Sequence, residues 1–251
     1  MFSKRFAVFT FVSAVGAHGT VSGIVADGIY YNGYNPSYQY ISPAPVTVGW
    51  LIPQDLDNGF VAPSAYASSD IICHKAATPA QIEAPSPQEE RLSFNGHHGP
   101  YLTKDLSSIT LPTAMVGMIS PTSQTSGYWG TDVLIANNNS WTVKIPSNIA
   151  TGNYVLRHEI IALHAAGSAN GAQNYPQCVS LAIKGTGTTN PAGVSATTFY
   201  TPTDPGILFD IYGTLTNYTI PGPALYSGAA TVTQTLPGPP TATASGIYTV
   251  S

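Results

Sequence analysis

Charge is what this chain has least of. Only 8% of its 251 residues are Asp, Glu, Lys or Arg. Two of the eight basic residues, Lys4 and Arg5, lie close to the first residue. Beyond them six basic residues stand against twelve acidic ones, a net charge of −6. So sparse and acidic a chain has no basic footprint with which to neutralise phosphates, which excludes nucleic acid as a partner. After the N-terminal run no segment is long and apolar enough for a transmembrane helix. No segment carries a sustained 3.6-residue period with caps at both ends, which argues against a helical fold. Cysteine is scarce too: Cys73 and Cys178 are the two. Without a Cys-x-x-Cys pair, a thiolate metal site is disfavoured. In an exported protein a disulfide between them is the default. It would close a loop of about 105 residues, worth roughly 4–5 kcal/mol in the chain-entropy model.

Export is what the N-terminus predicts. Lys4 and Arg5 form a short positive region, Phe6 to Val15 an apolar run, and Val15 and Ala17 put small residues at −3 and −1 of a cleavage site. That is the three-part secretory signal, too short to span a bilayer comfortably. Residues 1–17 are therefore expected to be removed and the protein to be secreted, beginning at His18. Two sequons, Asn138-Asn139-Ser140 and Asn217-Tyr218-Thr219, are candidates for glycosylation at Asn138 and Asn217 in a eukaryotic secretory pathway.

What the chain does have is glycine (24), proline (21) and tyrosine (15). Short β-rich runs recur at Thr20–Val25, Thr47–Trp50, Trp141–Ile145, Tyr154–Leu163 and Cys178–Lys184, punctuated by turn pairs such as Asp27-Gly28 and Asn32-Gly33. Many short strands with Gly/Pro turns predict an all-β antiparallel sandwich with long loops. It fills one domain over residues 18–228. Residues 229–251, rich in Thr, Pro, Ala and Gly, read as a flexible tail.

Beyond the expected cut the chain has six histidines: His18, His74, His97, His98, His158 and His164. A chain that begins with histidine offers two nitrogens at once, its α-amine and its ring. Copper(II) favours nitrogen ligands in a tetragonal plane. One more imidazole, from the loop-like HHGP stretch, would complete a T of three nitrogens, with a tyrosine or water on the weak axial position. His158, inside the apolar run NYVLRHEIIALH, reads as structural, and His74, next to Cys73, as structural or exposed.

These residues match a known pattern. HGTVSGIVADG, SSDIICHK, HHGP, NNNSWTVKIPSNIATGNYVLRHEIIALHAA, NGAQNYPQCVSLAI, TDPGILFDIY and YTIPGPALYSG occur in this order across residues 18–228. The set resembles the fungal lytic polysaccharide monooxygenases of auxiliary activity family 9, formerly glycoside hydrolase family 61. The resemblance implies an immunoglobulin/fibronectin-III-like sandwich and a copper enzyme, one ion per chain, that oxidatively cleaves β-1,4-glucan such as cellulose with O2 or H2O2. It implies His18 (amine and ring) and His97 as copper ligands, with Tyr175 axial and His164 and Gln173 beside the reacting oxygen. Cys73 and Cys178 match a family disulfide. A flat face carrying exposed rings would bind the polysaccharide, and Tyr40 and Tyr212, with Tyr38 behind them, are the candidates. The partners implied are a β-glucan surface and a small-molecule reductant or a redox enzyme such as a cellobiose dehydrogenase, with the chain itself monomeric.

The chain also departs from the pattern. The aromatic-rich lead into HHGP is replaced by PQEERLSFNG, and PYLTKDLSSITLPTAMVGMIS follows without a second cysteine pair. The region is shorter than the family pattern by about eleven residues. This leaves open a second reading, an inactive secreted polysaccharide- or copper-binding relative on the same fold. A third, a two-carboxylate hydrolase, needs an acid and a base or nucleophile roughly 5–10 Å apart. Asp27, Asp57 and Asp204 lie in turn-like contexts, and Glu159 reads as the partner of Arg157 in an ion pair.

Overall fold

The computed structural model describes residues 20–55, 59–87, 91–95, 100–103, 111–112, 129–137, 139–212, 215, 217–230, 232 and 244–245. Ten strands form two five-stranded sheets. The first contains β1 (Gly23–Ala26), β2 (Ile29–Asn32), β4 (Arg91–Asn95), β7 (Ser140–Lys144) and β10 (Ala244–Ser245), in the order β10-β2-β1-β4-β7. The second contains β3 (Ala84–Pro87), β5 (Pro100–Thr103), β6 (Leu111–Pro112), β8 (Gly152–Ala162) and β9 (Gln173–Lys184), in the order β3-β9-β8-β5-β6. The expected sandwich is present. Pairing is antiparallel except at the edges, where β10 runs parallel to β2 and β3 parallel to β9. The segment read as a tail thus contributes the two-residue strand β10.

The β1–β2 hairpin turns on Asp27-Gly28. Both have positive φ, 51° and 70°, which is what a two-residue primed turn requires. Residues of alternate parity point from each sheet into a shared core: Ile24, Tyr31, Trp141 and Val143 from the first, Tyr154, Leu156, Val179, Leu181 and Ile183 from the second. The second sheet is also covered on its outer side. There Val61, Tyr66, Ile71, Phe199, Tyr200 and Ile207 form another cluster. Coverage on both faces explains the nearly unbroken burial of β8, Arg157-His158-Glu159 included.

The short helix α1 (Asp70–Cys73) lies on that outer side, tied to β9 by the Cys73–Cys178 disulfide, with Cα atoms 5.2 Å apart. A second short helix, α2 (Gly130–Ala136), precedes β7. The run Thr47–Trp50, read as a strand, makes a single bridge from Gly49 to Val179.

Candidate functional site

The site candidates gather where the inner face of β9 runs past the end of the shared core. On β9 the residues 173, 175, 177 and 179 share one side, by the two-residue period of a strand. Val179 belongs to the core. Gln177 comes next, and its Oε1 accepts the backbone N–H of Val21, just before β1. Then follow Tyr175 and Gln173, whose side chains meet: the Tyr175 hydroxyl donates to Gln173 Oε1 at 2.8 Å. Ile160 and Ala162 of β8 pack against Tyr175 from the same side.

The strands flanking HHGP converge on this end. Asn95 of β4 pairs with Gly23 of β1. Pro100 of β5 pairs with His158 of β8, which pairs in turn with Gln177. Residues 96–99 are therefore bracketed by partners of Gly23 and of His158. His97 itself, like His18, lies outside the described residues. Among the described residues no group of three or more His, Cys, Asp or Glu is arranged to hold a metal.

Tyr175 is 1% exposed. Burial, helped by the negative charge of Asp55, pushes its hydroxyl up to about 12, so near neutrality it is a protonated phenol. Such an oxygen is a weak ligand, suited to an axial position, and its proton is committed to Gln173. The donor set of an α-amine, two imidazoles and a neutral phenol fits copper(II).

His164 is exposed, two residues past the last β8–β9 register pair, Ala162–Gln173. Its carbonyl accepts the Tyr212 hydroxyl at 3.0 Å. Tyr212 is otherwise open, at 77% exposure, and Tyr40, on the 3-10 turn Pro36–Tyr40, is equally exposed. Tyr38 is half-buried, edge-on to Tyr34. Asn217 is exposed and Asn138 lies outside the described residues.

Two arrangements go beyond what the sequence predicted. The first is Phe60, 37% exposed and edge-on to Tyr175 with ring centroids 6.2 Å apart. Its chain is pinned to β9 by reciprocal backbone bonds between Val61 and Asn174. Asp55, fully buried, accepts the Gly59 N–H at 2.7 Å, Lys75 Nζ at 3.1 Å and lies 3.2 Å from His74 Nε2. Burial alone would raise Asp55, but His74, Lys75 and the Gly59 N–H outweigh it and hold the carboxyl below its ordinary range. An aromatic between turn residues in DNGFVAP was a legible signal for Phe60. The Asp55–His74 pair was not legible, because nothing local announces it.

The second arrangement lies beneath the site, on the other side of β9. The Arg157 guanidinium grips both Glu159 oxygens, at 2.9 and 3.0 Å, and donates to the carbonyls of Ile71 and Ile72 at 2.7 Å each. Asn174 Nδ2 and the Tyr200 hydroxyl complete the carboxylate, and Tyr66 donates to Asn174 Oδ1 at 2.5 Å. The ion pair expected of Arg157 and Glu159 is present. Glu159 is 4% exposed and every one of these bonds is structural, so it offers no acid or base for hydrolysis. Asp204 likewise caps a turn, accepting from Thr201.

The family model for Auxiliary Activity family 9 (formerly GH61) matches residues 18–219. The AA9 family lytic polysaccharide monooxygenase I of Botryotinia fuckeliana is 68% identical over the full length of both chains. That alignment spans 269 positions, more than the chain's 251 residues, so it opens gaps in this chain. The extended catalytic domain of H. jecorina LPMO9A superposes with a TM-score of 0.83 at 45% identity, covering 93% of this chain and 100% of that one. A cellulose-active polysaccharide monooxygenase from M. thermophila gives a TM-score of 0.70 at 26% identity, covering 83% and 99%. By sequence and by fold alike, the chain belongs to auxiliary activity family 9, the lytic polysaccharide monooxygenases.

Proposed function

We propose that residues 18–228 form a secreted copper monooxygenase domain that cleaves β-1,4-glucan, after removal of residues 1–17. The observation that carries this reading is the convergence at Gln177. Val21 is bonded to it, so His18 lies three residues away along the chain, a reach of up to ~10 Å. Tyr175 is two strand residues from Gln177, roughly 7 Å. His97 follows Asn95 by two residues and precedes Pro100 by three, and both are paired at this end. His18, His97 and Tyr175 are thus within reach of one another, in spite of the shortened lead into HHGP.

In this reading His18 holds the copper by its amine and ring, His97 by its ring and Tyr175 by its hydroxyl. The ion, when bound, supplies the one-electron chemistry that the side chains lack. The chain's own residues do the rest. Tyr175 stays protonated and fixes Gln173 by accepting no charge and donating its proton. Gln173, with Oε1 so occupied, has its Nε2 hydrogens to offer the oxygen substrate. His164, solvent-exposed, has ring nitrogens that donate or accept a hydrogen bond. Tyr212, Tyr40 and Phe60 offer rings for stacking on sugar faces. The M. thermophila relative's description as cellulose-active supports cellulose as substrate. Electrons would come from a small reductant or a redox enzyme such as a cellobiose dehydrogenase.

The test is copper titration of the protein beginning at His18, then spectroscopy of the bound Cu(II), then incubation with cellulose and a reductant. One tight copper with a tetragonal, nitrogen-rich signal and oxidised oligosaccharides is the expected result. Weak binding with two nitrogens overturns the ligand set. Ordinary reducing ends formed without reductant would overturn the reaction.

A further inference from the structure

The two sequons play no part in the proposed copper chemistry, and the structure treats them differently. In the first, Ser140 opens β7 and is 1% exposed, and its carbonyl accepts the buried Asn137 amide at 2.9 Å. In the second, the middle residue is a half-buried anchor. The Tyr218 ring packs edge-on against Phe209, at 5.0 Å, and Trp129, at 5.3 Å. Its hydroxyl donates to the Gly206 carbonyl at 2.9 Å. A Cβ on Gly206 would stand 2.1 Å from the Thr219 carbonyl oxygen, so the sequon backbone lies against this loop as closely as only glycine allows. With Tyr218 turned inward, Asn217 and Thr219 are both exposed.

We propose that Asn217 carries an N-linked glycan in the secreted protein. The proposal rests on the secretory reading of residues 1–17. The reacting atom is Asn217 Nδ2, and the co-substrate is an oligosaccharide on a lipid pyrophosphate. A bond forms from Nδ2 to the sugar's anomeric carbon, the bond from that carbon to the pyrophosphate oxygen breaks, and the amide loses one proton as the lipid pyrophosphate leaves. Thr219 supplies the hydroxyl that a sequon requires two residues on. The folded chain accommodates the product because the exposed side chain extends it into water, while Tyr218, Phe209 and Gly206 hold the backbone from behind. The same loop carries Tyr212, and Phe209 N–H donates to the Ala166 carbonyl at 2.9 Å. The glycan would therefore border the proposed substrate face.

The experiment expresses the full chain in a filamentous fungus and collects protein from the medium. Treatment with peptide N-glycosidase in heavy-oxygen water marks each formerly glycosylated asparagine as a labelled aspartate, read by peptide mass spectrometry. The expected result is label at position 217, lost completely in Asn217→Gln and Thr219→Ala and retained in Thr219→Ser, with copper affinity unchanged in all three. Secreted protein whose Asn217 peptide is wholly unmodified overturns the proposal alone, including the case in which Asn138 carries the only label. Protein retained in the cell and unmodified overturns the secretory reading with it.

Discussion

Neighbours give buried Tyr175 and Asp55 opposite fates. Burial, helped by the negative charge of Asp55, pushes the Tyr175 hydroxyl up to about 12, so it stays protonated and donates to Gln173. Tyr175→Phe removes one oxygen from a packed ring. It should fold, change the Cu(II) spectrum and slow oxidised-product release by at least tenfold, because Gln173 loses its fixed partner. An unchanged spectrum would remove Tyr175 from the site. Asp55 faces cationic and N–H partners, so its carboxyl titrates below its ordinary value of 3.8. A depressed carboxylate stabilises the fold above the unfolded pKa, and that contribution is lost as pH falls through the folded one. Asp55→Asn should therefore cost about 2–3 kcal/mol at neutral pH. It should also flatten the stability profile below about pH 4, as read by denaturant midpoints across pH. A mutant profile parallel to the wild type would refute the assignment.

At the scale of elements, β8 and β9 hold the site through a polar layer that only works complete. Arg157→Met would leave Glu159 buried without its cation, at a cost of about 3–5 kcal/mol. Pairing it with Glu159→Leu removes the stranded charge and should recover most of that loss. Chemical denaturation of the two variants reads the difference, and equal destabilisation would mean that packing, not charge, dominates. Reducing the Cys73–Cys178 link frees α1 from β9, and the Cys73→Ser/Cys178→Ser protein should lose up to about 4–5 kcal/mol.

These elements also show what a sequence can reveal. β7, β8 and the second half of β9 were legible as apolar, β-branched runs, whereas Gln173 and Tyr175 were named through the family resemblance and Gln177 was not singled out. β3, β5 and β6 were not legible, since Pro85, Pro87, Pro100 and Pro112 break the strand signature and pairing with neighbouring strands supplies it instead. Thr47–Trp50 has the composition of a strand but only one bridge to β9. Composition reports what a residue tolerates, and only the partner strand decides the rest.

In the proposed reading the whole molecule couples export to chemistry. The first strand is anchored by Val21 on Gln177, so with residues 1–17 removed the three residues before it are what would carry His18 toward Tyr175. The α-amine of His18 exists only if the cut falls after Ala17. Leaving Ala14–Ala17 ahead of His18 turns that amine into an amide, which binds Cu(II) only by losing its proton, and moves the new α-amine four residues away. The residues that build the two sheets are unchanged, so thermal stability of the metal-free protein should match that of the correctly processed one. Copper affinity should fall by at least a hundredfold, since a six-membered chelate has lost one arm and the remaining imidazoles must be ordered without it. Calorimetric titration with Cu(II) on both forms, alongside their metal-free melting curves, separates the two effects. Equal affinity and equal activity in the extended form would mean that the amine is no ligand, and the site would have to be rebuilt around side chains alone.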